Sequence, residues 1–214
     1  VRAADPRLTA GGSEWELVTP KGRSPVRLPL LGSFNVSNAL AAAAAAHLLG
    51  FEAAEIARGL SSAPQVPGRM EVLVRSPTLV VRDYAHTPDA LERALEALRP
   101  SIHGRLIVVF GCGGDRDPGK RPGMGRIGIA GSDHAIITSD NPRTEDPAVI
   151  VGDTIAELQP GGWEAIVDRR QAIRRAAFDQ LLASDRLLLQ GGVDDCRCLA
   201  ISPLQVAFHL VGNR

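Results

Sequence analysis

The spacing of hydrophobic positions changes part-way along the chain. Trp15 to Thr19 and Val26 to Leu30 are short runs rich in Val, Leu and Trp, separated by a segment that opens with Pro20-Lys21-Gly22-Arg23. That pattern predicts a β-hairpin. Val1 to Gly12 show neither strand alternation nor helical period, so no element is predicted there. Ser33 to Asn38 lead into an alanine-rich helix ending at Leu49, with Gly50 where a left-handed C-terminal cap is expected, and a second short helix is predicted over Ala53 to Leu60. Ser61 to Gly68 combine prolines, serines and glycine, which is linker chemistry. The expected division is therefore a first domain over 1–68 and a second over 69–214.

Beyond the linker, Leu79 to Arg82, Leu106 to Phe110, Ala135 to Thr138, Ala165 to Asp168 and Leu187 to Leu189 are short apolar runs, most of them followed by helical spacing. Near-continuous apolar strands alternating with helices predict an α/β fold, a mostly parallel sheet covered by helices on both faces. The best-marked helix begins at Thr87-Pro88-Asp89. It has an N-cap hydroxyl, a proline where no N–H is missed, and an acid at the positive end of the dipole. Leu91, Ala94, Leu95 and Leu98 then form its apolar stripe.

Composition narrows the function classes. The 214 residues are 44% hydrophobic and 22% charged, with 24 basic and 24 acidic side chains. This disfavours both a disordered chain and a nucleic-acid binder, the latter because it would carry excess positive charge. The apolar stretch Ala39 to Leu49 is interrupted by His47 and falls short of the roughly 20 residues a bilayer requires, so no membrane span is expected. Three cysteines, Cys112, Cys196 and Cys198, form no paired framework, and no signal peptide is recognised, so a cytoplasmic protein is expected. A start at Val1 suggests a piece of a longer protein.

In an open parallel sheet, ligands bind beyond the carboxyl ends of the strands. Four segments there are unusual: Asp83-Tyr84-Ala85-His86-Thr87-Pro88, Gly111 to Asp117, Asp140-Asn141-Pro142-Arg143 and Gly191-Gly192-Val193-Asp194-Asp195. Gly114 to Lys120 matches G-x-x-x-x-G-K, but Arg121 and Pro122 follow where a phosphate loop needs Ser or Thr and a helix start. The glycines could instead serve a simple turn with solvated charges. Asp140 to Arg143 could likewise be a strand-end turn, with Asn141 extended before proline. Chemistry favours more than that, because an Arg fork grips a carboxylate bidentately, and Arg116 with Arg143 could together bind an anionic, amino-acid-like ligand. His86 is open between a base, a ligand contact and a structural turn residue. Cys196-Arg197-Cys198 lacks zinc-site spacing, and no metal ligands are expected in this chain.

Taken with Gly32 to Ala39, Gly68-Arg69-Met70-Glu71, and Gly111 to Arg121, the strings Asp83 to Pro88 and Asp140 to Glu145 resemble the Mur ligase family over about Leu31 to Asp168. The resemblance implies a three-domain enzyme of which this chain holds the end of the central ATP-binding domain and most of a Rossmann-like C-terminal amino-acid-binding domain. It further implies the branch that adds meso-diaminopimelate to UDP-N-acetylmuramoyl-L-alanyl-D-glutamate in peptidoglycan synthesis. ATP and magnesium are the implied cofactors, and a monomer is expected. Residue by residue, it implies Asn35 near adenine, Arg69 near the nucleotide, Asp83 near the ribose and His86 among the nucleotide contacts. It implies Arg116, Asp140, Asn141, Pro142 and Arg143 around the diamino acid. Arg143 is the implied mark of a preference for diaminopimelate over lysine, since a guanidinium attracts the second carboxylate and repels an ammonium.

Two features depart from the family pattern. Its phosphate loop, magnesium ligands and UDP-sugar domain have no counterpart here, so the chain alone is expected to be inactive, with no catalytic residue of its own. After Gln190 the family pattern Gly-Lys-Gly-His-Glu is replaced by Gly191 to Asp195, in which Gly191 and Asp195 fall in register as diamino-acid contacts, and 190–214 diverges. Two other readings stand beside this one. One is a non-catalytic Rossmann-like nucleotide or anion binder; the other is a lysine-adding or folylpolyglutamate-type ligase.

Overall fold

The computed structural model describes residues 1–9, 11–75, 78–102, 104–180 and 185–191. It divides into two compact units, Val1–Val66 and Pro67–Arg214.

In the first unit, β1 (Arg2–Thr9), β2 (Gly12–Thr19) and β3 (Gly22–Leu28) form an antiparallel sheet in the order β1-β2-β3. The β2–β3 hairpin pairs Trp15 with Val26 and closes at Thr19 opposite Gly22. Trp15, Leu17, Val26 and Leu28 point to one face and are buried, while Glu14 and Glu16 alternate to solvent. That face packs on Val36, Ala39 and Ala43 of α1 (Ser33–Leu48) and on Ile56 and Ala57 of α2 (Ala53–Ser61). Gly50 has the expected positive φ, 98°.

Strand β1 occupies residues for which the pattern predicts nothing. It is an edge strand whose side chains are almost all exposed, and its pairing is interrupted by a bulge between Ala4 and Arg7, with Asp5 at φ 51°. A strand that leaves nearly all its side chains in solvent, with only Ala3 against the core, has little reason to alternate, so period carries no signal there.

The second unit is a six-stranded sheet in the order β4-β5-β9-β6-β7-β8. Its strands are β4 (Glu71–Val74), β5 (Leu79–Asp83), β6 (Leu106–Cys112), β7 (His134–Ser139), β8 (Trp163–Ala165) and β9 (Arg186–Gln190). All neighbours pair in parallel except β4, which runs antiparallel on the edge. Every residue of β6 is buried, as expected for a central strand covered on both faces. One face packs on Ala172 and Ile173 of α6 (Arg169–Arg174) and on Ala176 and Ala177 just after it. The other carries α3 (Pro88–Leu98), α4 (Arg121–Gly131) and α5 (Pro147–Ile155), with Phe110 against Gly128 of α4.

The start of α3 has the predicted construction. Thr87 Oγ1 accepts from Ala90 N at 3.3 Å, and Leu91, Ala94, Leu95 and Leu98 are buried. Strand β8 lies earlier than the apolar run Ala165 to Asp168, because Asp168 is taken as the cap of α6, its carboxylate accepting from Gln171 N at 2.9 Å. Strand β4 is too short, and too close to the linker, to show a period of its own.

Candidate functional site

Sheet order brings the predicted segments to one edge. Register sets Asp83 at the end of β5 beside Gln190 at the end of β9, and Cys112 at the end of β6 beside Ser139 at the end of β7. Gly191 N donates to Asp83 O at 2.9 Å, and the buried Gln190 side chain accepts from Gly111 N at 2.9 Å, which ties three strand ends together. Arg169 at the start of α6 adds a guanidinium bridge from Ser139 O to Gln190 O.

The glycines at and beyond the end of β6 serve close approach. A Cβ on Gly111 would lie 2.3 Å from Thr138 O, and one on Gly114 would lie 1.9 Å from Pro142 O. A side chain at Gly111 would push the end of β6 from β7, and one at Gly114 would force the loop after β6 away from the loop after β7. The positive φ falls on Asp115 (51°) and Arg143 (52°), which are not glycines.

These two loops grip one another. Gly114 N donates to Asn141 O at 2.9 Å, and Arg143 Nη1 donates back to Gly114 O. The Asp115 carboxylate accepts from Thr144 Oγ1 at 2.7 Å and from Thr144 N at 3.1 Å, and Glu145 Oε1 accepts from Asp115 N at 2.6 Å. The hydrogen bonds from Thr144 hold the Asp115 carboxyl below its ordinary value, helped by the charges of Arg143 and Arg116. Glu145 is held low by its bond to Arg121. Arg121 is buried at the start of α4 and pairs with both Glu145 and Asp153. Arg116 and Arg143 are exposed, and among the described residues Arg116 makes no hydrogen bond or ion pair.

At the other end of the edge, the turn Gly68 to Glu71 is clamped on β5. Glu71 accepts from Gly68 N at 2.8 Å and pairs with buried Arg82; Tyr84 N donates to Gly68 O at 2.8 Å, and Met70 N donates to Asp83 Oδ2 at 2.8 Å. Arg69 thereby lies over the Tyr84 ring, 5.7 Å from its centroid, and the His86 ring is 5.1 Å from that of Tyr84. Burial pushes the Asp83 carboxyl up, against the hydrogen bonds from Met70 and Ala85 and the charge of Arg69.

Lys120 does not belong to a phosphate loop. Its ammonium donates to His86 O at 2.7 Å, Gly119 N is taken by Asp117 Oδ1 at 2.9 Å and Gly114 N by Asn141 O, so the lysine and both glycine N–H groups that a phosphate would use are already engaged.

Arg116, Asp140, Asn141, Pro142, Arg143 and Gly191 thus share the carboxyl edge of one sheet, with Arg69, Asp83 and His86 where β5 ends. Asn35 lies in the first unit, in the opening turn of α1, with its amide donating to Leu31 O at 2.7 Å and accepting from Asn38 at 3.2 Å. Asp195, Cys196 and Cys198 lie outside the described residues. Sequence reasoning missed Asp115, Glu145 and Arg121 as parts of the site. The Arg121 partners Glu145 and Asp153 stand 24 and 32 positions away, a separation at which spacing carries no signal. Among the described residues no group of three His, Cys, Asp or Glu side chains is placed to hold a metal ion, and no helix is long and apolar enough to cross a membrane.

Comparison with known proteins bears on the same domain. Residues 68–193 match the family described as Mur ligase, glutamate ligase domain. A protein of Gloeobacter violaceus named UDP-N-acetylmuramoyl-L-alanyl-D-glutamate--2,6-diaminopimelate ligase is 47% identical over 204 residues, covering 94% of this chain and 42% of that protein. The protein of the same name from Geobacillus kaustophilus is 45% identical over 194 residues, covering 89% of this chain and 40% of that protein. A solved structure of a ligase of that name superposes with a TM-score of 0.67 at 36% identity, over 98% of this chain and 45% of the other. The Mycobacterium tuberculosis folylpolyglutamate synthase, solved with ADP and AMPPCP, shares the fold at 20% identity, with a TM-score of 0.71 over 99% of this chain and 48% of the other. The match runs from the clamped turn at Gly68 through every strand end of the described edge, and the chain belongs to the Mur ligase family.

Proposed function

We propose that this chain is part of an ATP-dependent ligase that joins meso-diaminopimelate to UDP-N-acetylmuramoyl-L-alanyl-D-glutamate in cytoplasmic peptidoglycan synthesis, and that the edge beyond β6, β7 and β9 receives the diamino acid. The observation that carries the reading is the joining of the two loops that bear Arg116 and Arg143. Gly114 N donates to Asn141 O at 2.9 Å and Arg143 Nη1 donates to Gly114 O, two positions before Arg116, which brings two exposed arginines to one stretch of the edge. A doubly acidic zwitterion suits such a pair, with Asn141 available for its amino or carboxyl group and Asp140 for an ammonium. The relatives named for diaminopimelate support the choice of acceptor.

In the proposed reaction the nucleotide-peptide carboxylate takes the γ-phosphoryl group of ATP, and the amine of the diamino acid displaces phosphate from the acyl phosphate. This chain's contribution is to position the amine. The groups around β5 fit outer contacts to a nucleotide: Asp83 offers a carboxylate to a ribose hydroxyl, Arg69 a guanidinium to phosphate, and His86 a ring beside Tyr84. Asn35, in the first unit, is proposed to contact adenine. Magnesium finds no ligand cluster among the described residues. The chain spans 42% and 40% of the two curated relatives, and the phosphate loop, the metal ligands and the UDP-sugar site are expected in the part of the ligase not represented here.

Calorimetric titration of the chain with meso-diaminopimelate and with L-lysine tests the reading. Diaminopimelate should bind more tightly by about tenfold or more, the worth of one charge-assisted contact, and Arg143→Ala should erase that difference. Equal affinities for the two amino acids in the unaltered chain would rule the assignment out.

A further inference from the structure

Asp115 and Arg143 are non-glycine residues at φ 51° and 52°, one on each of the loops that follow β6 and β7. A residue with a Cβ keeps that conformation where surrounding groups over-determine it. Here the restraint is reciprocal. Asp115 gives both carboxylate oxygens to the loop after β7, at Thr144 Oγ1 and Thr144 N. Glu145 returns an oxygen to Asp115 N, and both its oxygens take Arg121 Nη2, at 2.8 and 2.7 Å. Arg121 is 2% exposed and also holds Asp153 of α5, so the grip is anchored in the helical layer. Arg143, next to Thr144 in the same loop, spends Nη1 on Gly114 O, and its Nε and Nη2 make no hydrogen bond among the described residues.

We propose that Asp115 and Glu145 are positioning residues for the diamino-acid site, fixing Arg143 so that its remaining donors meet the distal carboxylate of the ligand. The proposal rests on the reading of the site given above. Neither acid is suited to touch that carboxylate, since each has its sign and each is already engaged by backbone N–H and side-chain donors. Their effect is on selectivity: they serve a ligand that carries a carboxylate on its far carbon, and they are indifferent to one that carries hydrogen there.

Two substitutions separate this role from general stabilisation. Asp115→Gly suits a left-handed backbone and removes both acceptors, whereas Asp115→Asn suits it nearly as well and keeps one acceptor oxygen. The whole chain is titrated with meso-diaminopimelate and with L-lysine, and the Arg143 Nε–Hε signal, assigned by its disappearance in Arg143→Lys, is followed in nitrogen-15 spectra without ligand. Asp115→Gly should weaken diaminopimelate binding about tenfold, leave lysine unchanged and move the Arg143 signal. Asp115→Asn should return within about threefold of the unaltered protein, having kept one of the two acceptors. Equal loss for both amino acids, or unchanged diaminopimelate affinity with an unmoved Arg143 signal, overturns the proposal. An unaltered chain that prefers neither amino acid overturns the site reading instead, and the Arg143 signal in ligand-free Asp115→Gly then still decides whether Asp115 holds that guanidinium.

Discussion

Asp83 closes β5 and Asp115 follows β6, yet their carboxyl groups are displaced in opposite directions. Burial raises Asp83, while donors from Thr144 lower Asp115. A carboxyl whose folded value is raised favours folding at pH below its unfolded value of about 3.9 and loses that advantage as the pH climbs through the folded value. Asp115 and Glu145 behave oppositely: their contribution is present above the unfolded value and disappears as acid protonates the folded form. Ionisation of Asp83 therefore works against folding at neutral pH, while its Oδ2 still holds Met70 N at 2.8 Å. Asp83→Asn keeps an acceptor for Met70 N while removing the buried charge. Its melting temperature should equal or exceed that of the unaltered protein at pH 7, and the two should converge near pH 3, while nucleotide affinity falls. Thermal melts across that range decide the matter, and a variant less stable than the parent at neutral pH would contradict the account.

Among the elements, α4 shows why some structure is illegible in sequence. Its residues run Arg121-Pro122-Gly123-Met124-Gly125-Arg126-Ile127-Gly128-Ile129-Ala130-Gly131, and each glycine costs a helix about 1 kcal/mol relative to alanine. Local preference argues against a helix; packing requires one. A Cβ would lie 2.2 Å from Thr154 O at Gly125, 2.4 Å from the Phe110 ring at Gly128 and 2.7 Å from Leu95 at Gly131, so α4 lies close against α5, the sheet and α3 at once. Gly128→Ala should cost ~1–3 kcal/mol through overpacking. Gly123 is the control. Its added Cβ would come no closer than 3.5 Å to Pro88, an ordinary contact, so Gly123→Ala should gain ~0.4–1 kcal/mol. Urea unfolding of the two variants reads both signs. Strands β5, β6, β7 and β9 were legible because burial on both faces makes them continuous apolar runs. The edge strands β1 and β4 were not, having too little burial or length to impose a period. The residues that converge at the carboxyl edge were legible from strand ends and charge, whereas the Asp115, Glu145 and Arg121 grip exists only through folding.

For the molecule as a whole, α1 poses the remaining question of surface. It buries Val36, Ala39 and Ala43 against the antiparallel sheet, while at and just beyond its C-terminal end Leu48, Leu49 and Phe51 are 86%, 79% and 50% exposed. Scattered exposed leucines are ordinary, but adjacent large apolar side chains at one helix end form a patch of the kind that binds something. In the 214-residue chain it should bind the apolar dye ANS in the native state. The double substitution Leu48→Lys and Leu49→Glu should abolish that binding while changing unfolding free energy by no more than ~0.5 kcal/mol for each site, the usual effect of an exposed position. The two measurements work together. Lost dye binding with unchanged stability identifies a surface that contributes nothing to this fold by itself, whereas a large loss of stability would mean that Leu48 and Leu49 are packed and that the patch does not exist.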